Sequence, residues 1–145
     1  MNRRDFFRSA SRGAARTVAG AIGGRGHPPS PADPSPRPVV QTPGPPRRYR
    51  PGDMVFVQAA RAWLGCDELG FYAVDAVCPH LGCLVAPDGD GFACPCHGSR
   101  FGPDGSAAAG PAPGGLRFLE VDLDGQDNLT IRRERAVSAG DRFIA

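Results

Sequence analysis

The stretch GFYAVDAVCPHLGC, residues 70–83, decides how the chain is read. Its first half, Phe71 to Val77, alternates in the manner of a half-buried β-strand. Its second half turns at once to proline, glycine and soft metal-ligand residues. A strand that runs straight into such a loop holds it on a rigid scaffold, where binding residues usually sit. About ten residues later a look-alike box, CPCHGS at 94–99, repeats the pattern, so that four of the five cysteines and two of the three histidines fall in the two boxes.

Working outward, short runs with β-branched and aromatic residues surround the boxes: MVFV at 54–57, RAWL at 61–64, LRFLEVDL at 116–123 and LTIR from 129. Gly, Pro and Asp bound them, and DELG at 67–70 and DGQDN at 124–128 read as hairpin turns. No helical period shows after residue 51, so the expected fold class is all-β. The predicted domain spans 52–135, with a cluster of ligand loops at about 76–103 and a C-terminal tail at 136–145.

The N-terminal third differs in kind. The whole chain has 20 glycines and 16 prolines, and residues 25–51 are so rich in proline that they read as an extended tether. His27 lies in that tether and reads as a solvated linker residue. Residues 1–24 open with Arg3 and Arg4, place Phe6 two positions after the pair and continue into a weakly apolar run. That pattern resembles a twin-arginine export signal. The run is too short and too broken by Arg16 for a bilayer span, which needs roughly 20 apolar residues.

The net charge of +2 hides an asymmetry, since residues 1–50 carry ten arginines against Asp5 and Asp33, while the remainder is acidic. A mildly acidic domain with scattered arginines is a poor nucleic-acid ligand. Nucleic acid is therefore not an expected partner.

Three chemistries compete for the boxes. A structural zinc finger pairs cysteines in one loop and histidines in the other, whereas here each loop mixes both. Covalent haem attachment needs CxxCH, and Cys94-Pro95-Cys96-His97 is one residue short. A two-iron cluster with mixed ligation fits: Cys78 and Cys94 on one iron, His80 and His97 on the other. Two neutral imidazoles in place of two thiolates raise the reduction potential of such a centre.

CPHLGC and CPCHGS resemble the two boxes of Rieske [2Fe-2S] proteins, of the group found in cytochrome bc and b6f complexes. The resemblance runs from about residue 53 to residue 133, and GPAP at 110–113, with Pro111, resembles the proline loop that covers the cluster. It implies an antiparallel β-sandwich with a small cluster-binding subdomain built from two loops. It also implies a disulfide between Cys83 and Cys96, the pair left after ligation. Disulfides persist in oxidising compartments, in keeping with export to the periplasmic or outer face of the membrane. Cys66, the odd cysteine, reads as a small packed residue near a hairpin.

The residues around the ligands tune such a centre. Gly82 and Gly98 let backbone approach the cluster, so that loop N–H groups, that of Leu81 included, can donate to sulfur. By the resemblance, Ser99 donates its hydroxyl to a bridging sulfide. Phe101 stands where high-potential members carry a tyrosine that donates to a ligand cysteine; the ring is kept and the donor is lost.

The implied function is electron transfer, as in the iron–sulfur subunit of a quinol:cytochrome c oxidoreductase, with a cytochrome b-type donor complex and a cytochrome c-type acceptor. The alternative is the small Rieske subunit of another exported oxidoreductase, such as arsenite oxidase, or a soluble Rieske carrier. A Rieske oxygenase also needs a mononuclear iron on two further histidines, and only His27 remains.

Overall fold

The computed structural model describes residues 39–42 and 44–145. The residues read as an export signal, His27 and most of the stretch read as a tether lie outside them. Among the described residues no helix is long and apolar enough to cross a membrane, and the helical elements are two single 3₁₀ turns, at Pro46–Arg48 and Gln58–Ala60.

Among the described residues, ten strands form two antiparallel sheets. The larger contains β1 (Val39–Gln41), β2 (Met54–Val57), β3 (Ala62–Asp67), β4 (Gly70–Asp75), β9 (Phe118–Leu123) and β10 (Leu129–Val137), in the order β1-β10-β9-β4-β3-β2. The smaller is β5 (Ala86–Asp88), β6 (Gly91–Ala93), β7 (Arg100–Phe101) and β8 (Ala107–Ala109), in sequence order. Both expected hairpin turns form. Asp67 Oδ1 accepts from the Leu69 N–H at 2.9 Å and Asp124 Oδ1 from the Gln126 N–H at 2.8 Å, the local bonding that suits aspartate to turns.

The ordered fold reaches further at both ends than the sequence reading. Residues 39–41, read as tether, pair with β10 in the register Val39↔Arg132 to Gln41↔Thr130, where β10 would otherwise offer an unpaired sheet edge. The C-terminal segment, read as a tail, docks on the β3–β4 hairpin. Phe143 and Phe71 exchange backbone hydrogen bonds at 2.8 Å, and Arg142 donates to Asp67 at 2.7 Å. The small sheet likewise runs past residue 103 to Ala109, because β8 is needed to pair with β7.

Strand β4 connects the two halves. Phe71 and Ala73 face a core with Leu64, Leu119, Leu129 and Ile131. Tyr72, Val74, Ala76 and Cys78 belong to a second cluster with Val85, Phe92, Cys94, Phe101 and Phe118. Side chains of a strand alternate between faces. That alternation carries on past the end of β4, and it delivers Cys78 to the side where Cys94 lies.

Candidate metal centre

Each box is the tip of a β-hairpin. Val77 bridges Leu84 below the first tip, and β6 pairs with β7 below the second. The tips close with the same hydrogen bonds. In the first, the Cys78 N–H donates to Cys83 O at 2.8 Å and the Gly82 N–H to Cys78 O at 3.0 Å; in the second, Cys94 N–H donates to Ser99 O at 2.8 Å and Gly98 N–H to Cys94 O at 3.1 Å. Gly82 and Gly98 hold φ of +81° and +77°, a region that side chains rarely adopt. The two six-residue tips are thus equivalent in backbone.

Because the backbones match, the side chains can be compared position by position. The first position is a cysteine in both tips, the third is His80 in one and Cys96 in the other, and the fourth is Leu81 in one and His97 in the other. The sixth is Cys83 in one and Ser99 in the other. The Cys83–Cys96 disulfide is present and joins the sixth position of the first tip to the third of the second. It fixes the separation of the loops.

Cys78 and Cys94 are free thiols, 1% and 3% exposed. Burial pushes the Cys78 thiol up. The His80 backbone N–H opposes that, the adjacent Cys94 thiol adds to it, and the Ser99 hydroxyl donating to Cys78 opposes it again. The His80 and His97 rings stand 4.8 Å apart, edge to face. His80 Nδ1 is buried without a hydrogen-bond partner, although buried polar atoms are nearly always paired. Two adjacent buried thiols, two adjacent imidazoles and an orphaned ring nitrogen suit a metal centre of mixed ligands. The sulfurs of Cys83, Cys94 and Cys96 also lie within 4.8 Å of one another. That trio is not a metal site, because disulfide sulfurs have no thiolate to offer.

Several further side chains and one loop lie around the two tips. Ser99 is fully buried, and its oxygen also accepts from the Ala112 N–H at 3.1 Å. The loop with Pro111 lies against the second tip so closely that a Cβ on Gly110 would come within 2.5 Å of Ser99 Cα. Phe101, 3% exposed, packs in the same cluster as Cys78 and Cys94. Leu81 is 69% exposed at the tip, and His97 and Cys96 are exposed beside it. Cys66 packs in the other core.

Sequence reading missed the residues that seat the first tip. The buried Asp75 carboxylate accepts from Arg117 at 2.6 Å, from Arg133 at 3.1 Å and from the Val77 N–H at 3.1 Å. Arg133 also donates to Ala60 O. Arg61, at φ +46°, accepts from the Ala76 N–H with its carbonyl at 2.9 Å, while its guanidinium donates to Gly82 O at 3.3 Å. Trp63 Nε1 donates to Val85 O at 2.9 Å. The large sheet thus grips both legs of the first hairpin.

Antiparallel sheets bearing two equivalent tips, each with one buried thiol and one imidazole, define a mixed-ligand iron–sulfur protein. Residues 44–120 match the profile of the Rieske [2Fe-2S] domain. The chain belongs to this family and carries one Rieske-type [2Fe-2S] cluster.

Among relatives, it is 34% identical over 145 residues to the cytochrome b6-f complex iron-sulfur subunit of Prochlorococcus marinus subsp. pastoris (strain MED4), covering 86% of this chain and 81% of that one. It is 39% identical over 83 residues to the subunit of the same name from Parasynechococcus marenigrum, covering 54% of this chain and 46% of that one. With the like-named subunit of Synechococcus sp. (strain RCC307) the match spans 38% of the relative. The chain thus covers less than half the length of two of these relatives. The plasma membrane Rieske protein PetC3 of Synechocystis PCC 6803 is a similar solved structure, 26% identical with a TM-score of 0.37, covering 55% of this chain and 97% of that one.

Proposed function

We propose that the protein is the electron-carrying iron–sulfur subunit of a quinol-oxidising complex, a reading supported by its likeness to iron-sulfur subunits of cytochrome b6-f complexes, and that Cys78, Cys94, His80 and His97 are the iron ligands. The observation that carries the ligand set is the orphaned, buried Nδ1 of His80 beside His97 and the two adjacent buried thiols. A mixed-ligand cluster supplies a one-electron couple at a higher potential than an all-thiolate one. Cys78 and Cys94 hold the inner side, away from water. His97 and Leu81 are exposed at the tip, where an apolar donor ring can rest on Leu81. With one ring nitrogen on iron and the other having given up its proton, His97 would accept the hydrogen bond from the donor hydroxyl and would take that proton as the electron leaves.

The acceptor is a cytochrome of c or f type that meets the same exposed tip. In this reading the domain works on the exported side of the membrane, and Arg3 and Arg4 direct it through the twin-arginine route, which carries folded cargo. Redox-titrated EPR on membrane and soluble fractions tests the proposal. A rhombic mixed-ligand signal in membranes that quinol reduces is the expected result; a signal that quinol leaves oxidised refutes the quinol reading.

A further inference from the structure

The Cys94 sulfur has neighbours on two sides. On one is Cys78, whose thiol it contacts directly. On the other is the Cys83–Cys96 disulfide, both sulfurs of which lie within 4.8 Å of Cys94 Sγ. A thiolate attacks a disulfide sulfur along the line of the S–S bond, so exchange requires the second tip to close the remaining gap and the Cys94 side chain to swing into line with the Cys83–Cys96 bond.

We propose that Cys94 is an exchange partner for the Cys83–Cys96 disulfide, and that iron ligation and thiol–disulfide exchange compete for this one sulfur. In the step, the Cys94 thiolate attacks Cys83 Sγ, a Cys83–Cys94 bond forms, the Cys83–Cys96 bond breaks, and Cys96 departs as a thiolate. The proton lost from Cys94 is returned through water to Cys96. No oxidant or reductant is consumed, and the number of thiols stays at three.

The direction follows from exposure and chain geometry. Cys96 is exposed, so its departing thiolate is solvated at once, whereas Cys83 is half-buried. Attack on Cys96 instead would close a ring through Cys94-Pro95-Cys96, where proline fixes φ and stiffens an already short loop. The exchanged protein has lost one buried thiol from the centre and gained an exposed thiol at the tip.

The competition rests on the reading of Cys94 as an iron ligand. It has a consequence for assembly. A chain whose disulfide closes before iron arrives can lose its ligand set, so the cluster must be inserted first and the disulfide closed afterwards, over an occupied Cys94.

The test uses the full chain. Cluster is removed anaerobically by a chelator at mildly alkaline pH, free thiols are alkylated at intervals, and disulfide-linked peptides are mapped by mass spectrometry. The expected result is a Cys83–Cys94 bond appearing with time as Cys96 becomes alkylated, at constant thiol number and at a rate independent of protein concentration. Cys94→Ser, treated alike, keeps Cys83–Cys96. Retention of Cys83–Cys96 alone in the wild type overturns the proposal. So does a mixture in which Cys66 and Cys78 join disulfides as readily as Cys94, since that reports unfolding and not proximity. Ligation is read apart from exchange: a Cys94→Ser protein that still assembles the mixed-ligand EPR signal refutes the ligand assignment and leaves the exchange result standing.

Discussion

Replacing Asp75 by alanine tests whether the first ligand tip is held from the large sheet. The carboxylate is buried and has three partners, but they do not count equally. The Arg117 side chain is 53% exposed and regains water when its partner is lost, so its share is small. Arg133 is 29% exposed and pinned by Ala60 O, so its charge is left poorly compensated, and the Val77 N–H loses its acceptor. Removing one partner of a buried ion pair costs about 3–5 kcal/mol. Because Arg133 keeps some access to water, the lower end applies, roughly 3 kcal/mol. For a domain of this size that lowers Tm by on the order of 10–15 °C. Asp75→Asn retains an acceptor for Val77 and is expected to lose about half as much. The assay is thermal unfolding of the cluster-loaded protein, followed by circular dichroism and by visible cluster absorbance. A Tm for Asp75→Ala within a few degrees of wild type refutes the reasoning.

Two further outcomes follow from side chains already described. Phe101→Tyr adds a hydroxyl within the buried cluster that contains the Cys78 and Cys94 thiols. If it donates to a ligand sulfur, the bond strengthens on reduction by about 1 kcal/mol, which raises the midpoint potential by roughly 40 mV for one electron; an unchanged or lower value in a redox titration with the cluster intact counts against it. For Asp67, burial favours the protonated form, but the Arg142 hydrogen bond, the Leu69 N–H and the Arg142 charge prevail and hold the carboxyl below its ordinary 3.8. A depressed folded value means this stabilisation is present above 3.8 and is lost as pH falls through the lower value. Arg142→Ala is therefore expected to lower Tm at neutral pH and to flatten its decline on acidification, and a parallel shift of the whole profile refutes the assignment.

The all-β class and the strands on either side of the boxes were legible because β-branched and aromatic runs bounded by turn residues are a local signal. The proposed donor set could be read for a similar reason. Cys78, His80, Cys94 and His97 are confined to two hairpin tips, and a tip is short enough for its spacing to appear in sequence. The small sheet was not. Strands of two or three residues, such as Arg100–Phe101, show no period, and Pro87 in β5 argues against a strand until it is seen to lie on an edge. β1 was hidden in the same way, since three residues after a proline-rich run carry no signal of their own and are ordered only by Ile131 and its neighbours.

What sequence could not give is the seating of the tips. Asp75 meets Arg117 and Arg133 across 42 and 58 residues, and Trp63 meets Val85 across 22. A scattered arginine is indistinguishable by spacing from a solvated one. These contacts differ from the ligands in what they specify. The boxes determine which atoms are available to iron. The orientation of the first tip, and with it the position of His80 relative to the exposed His97, is set by the large sheet through Asp75, Arg61 and Trp63. The second tip is rooted in β6 and β7 and is tied to its surroundings by the Cys83–Cys96 bond and by the segment at Gly110–Ala112. The two halves of the centre are thus secured by different means, one by buried charge and one by a covalent tie. A change that loosens the first is expected to appear in Tm, and one that breaks the second in the retention of the cluster.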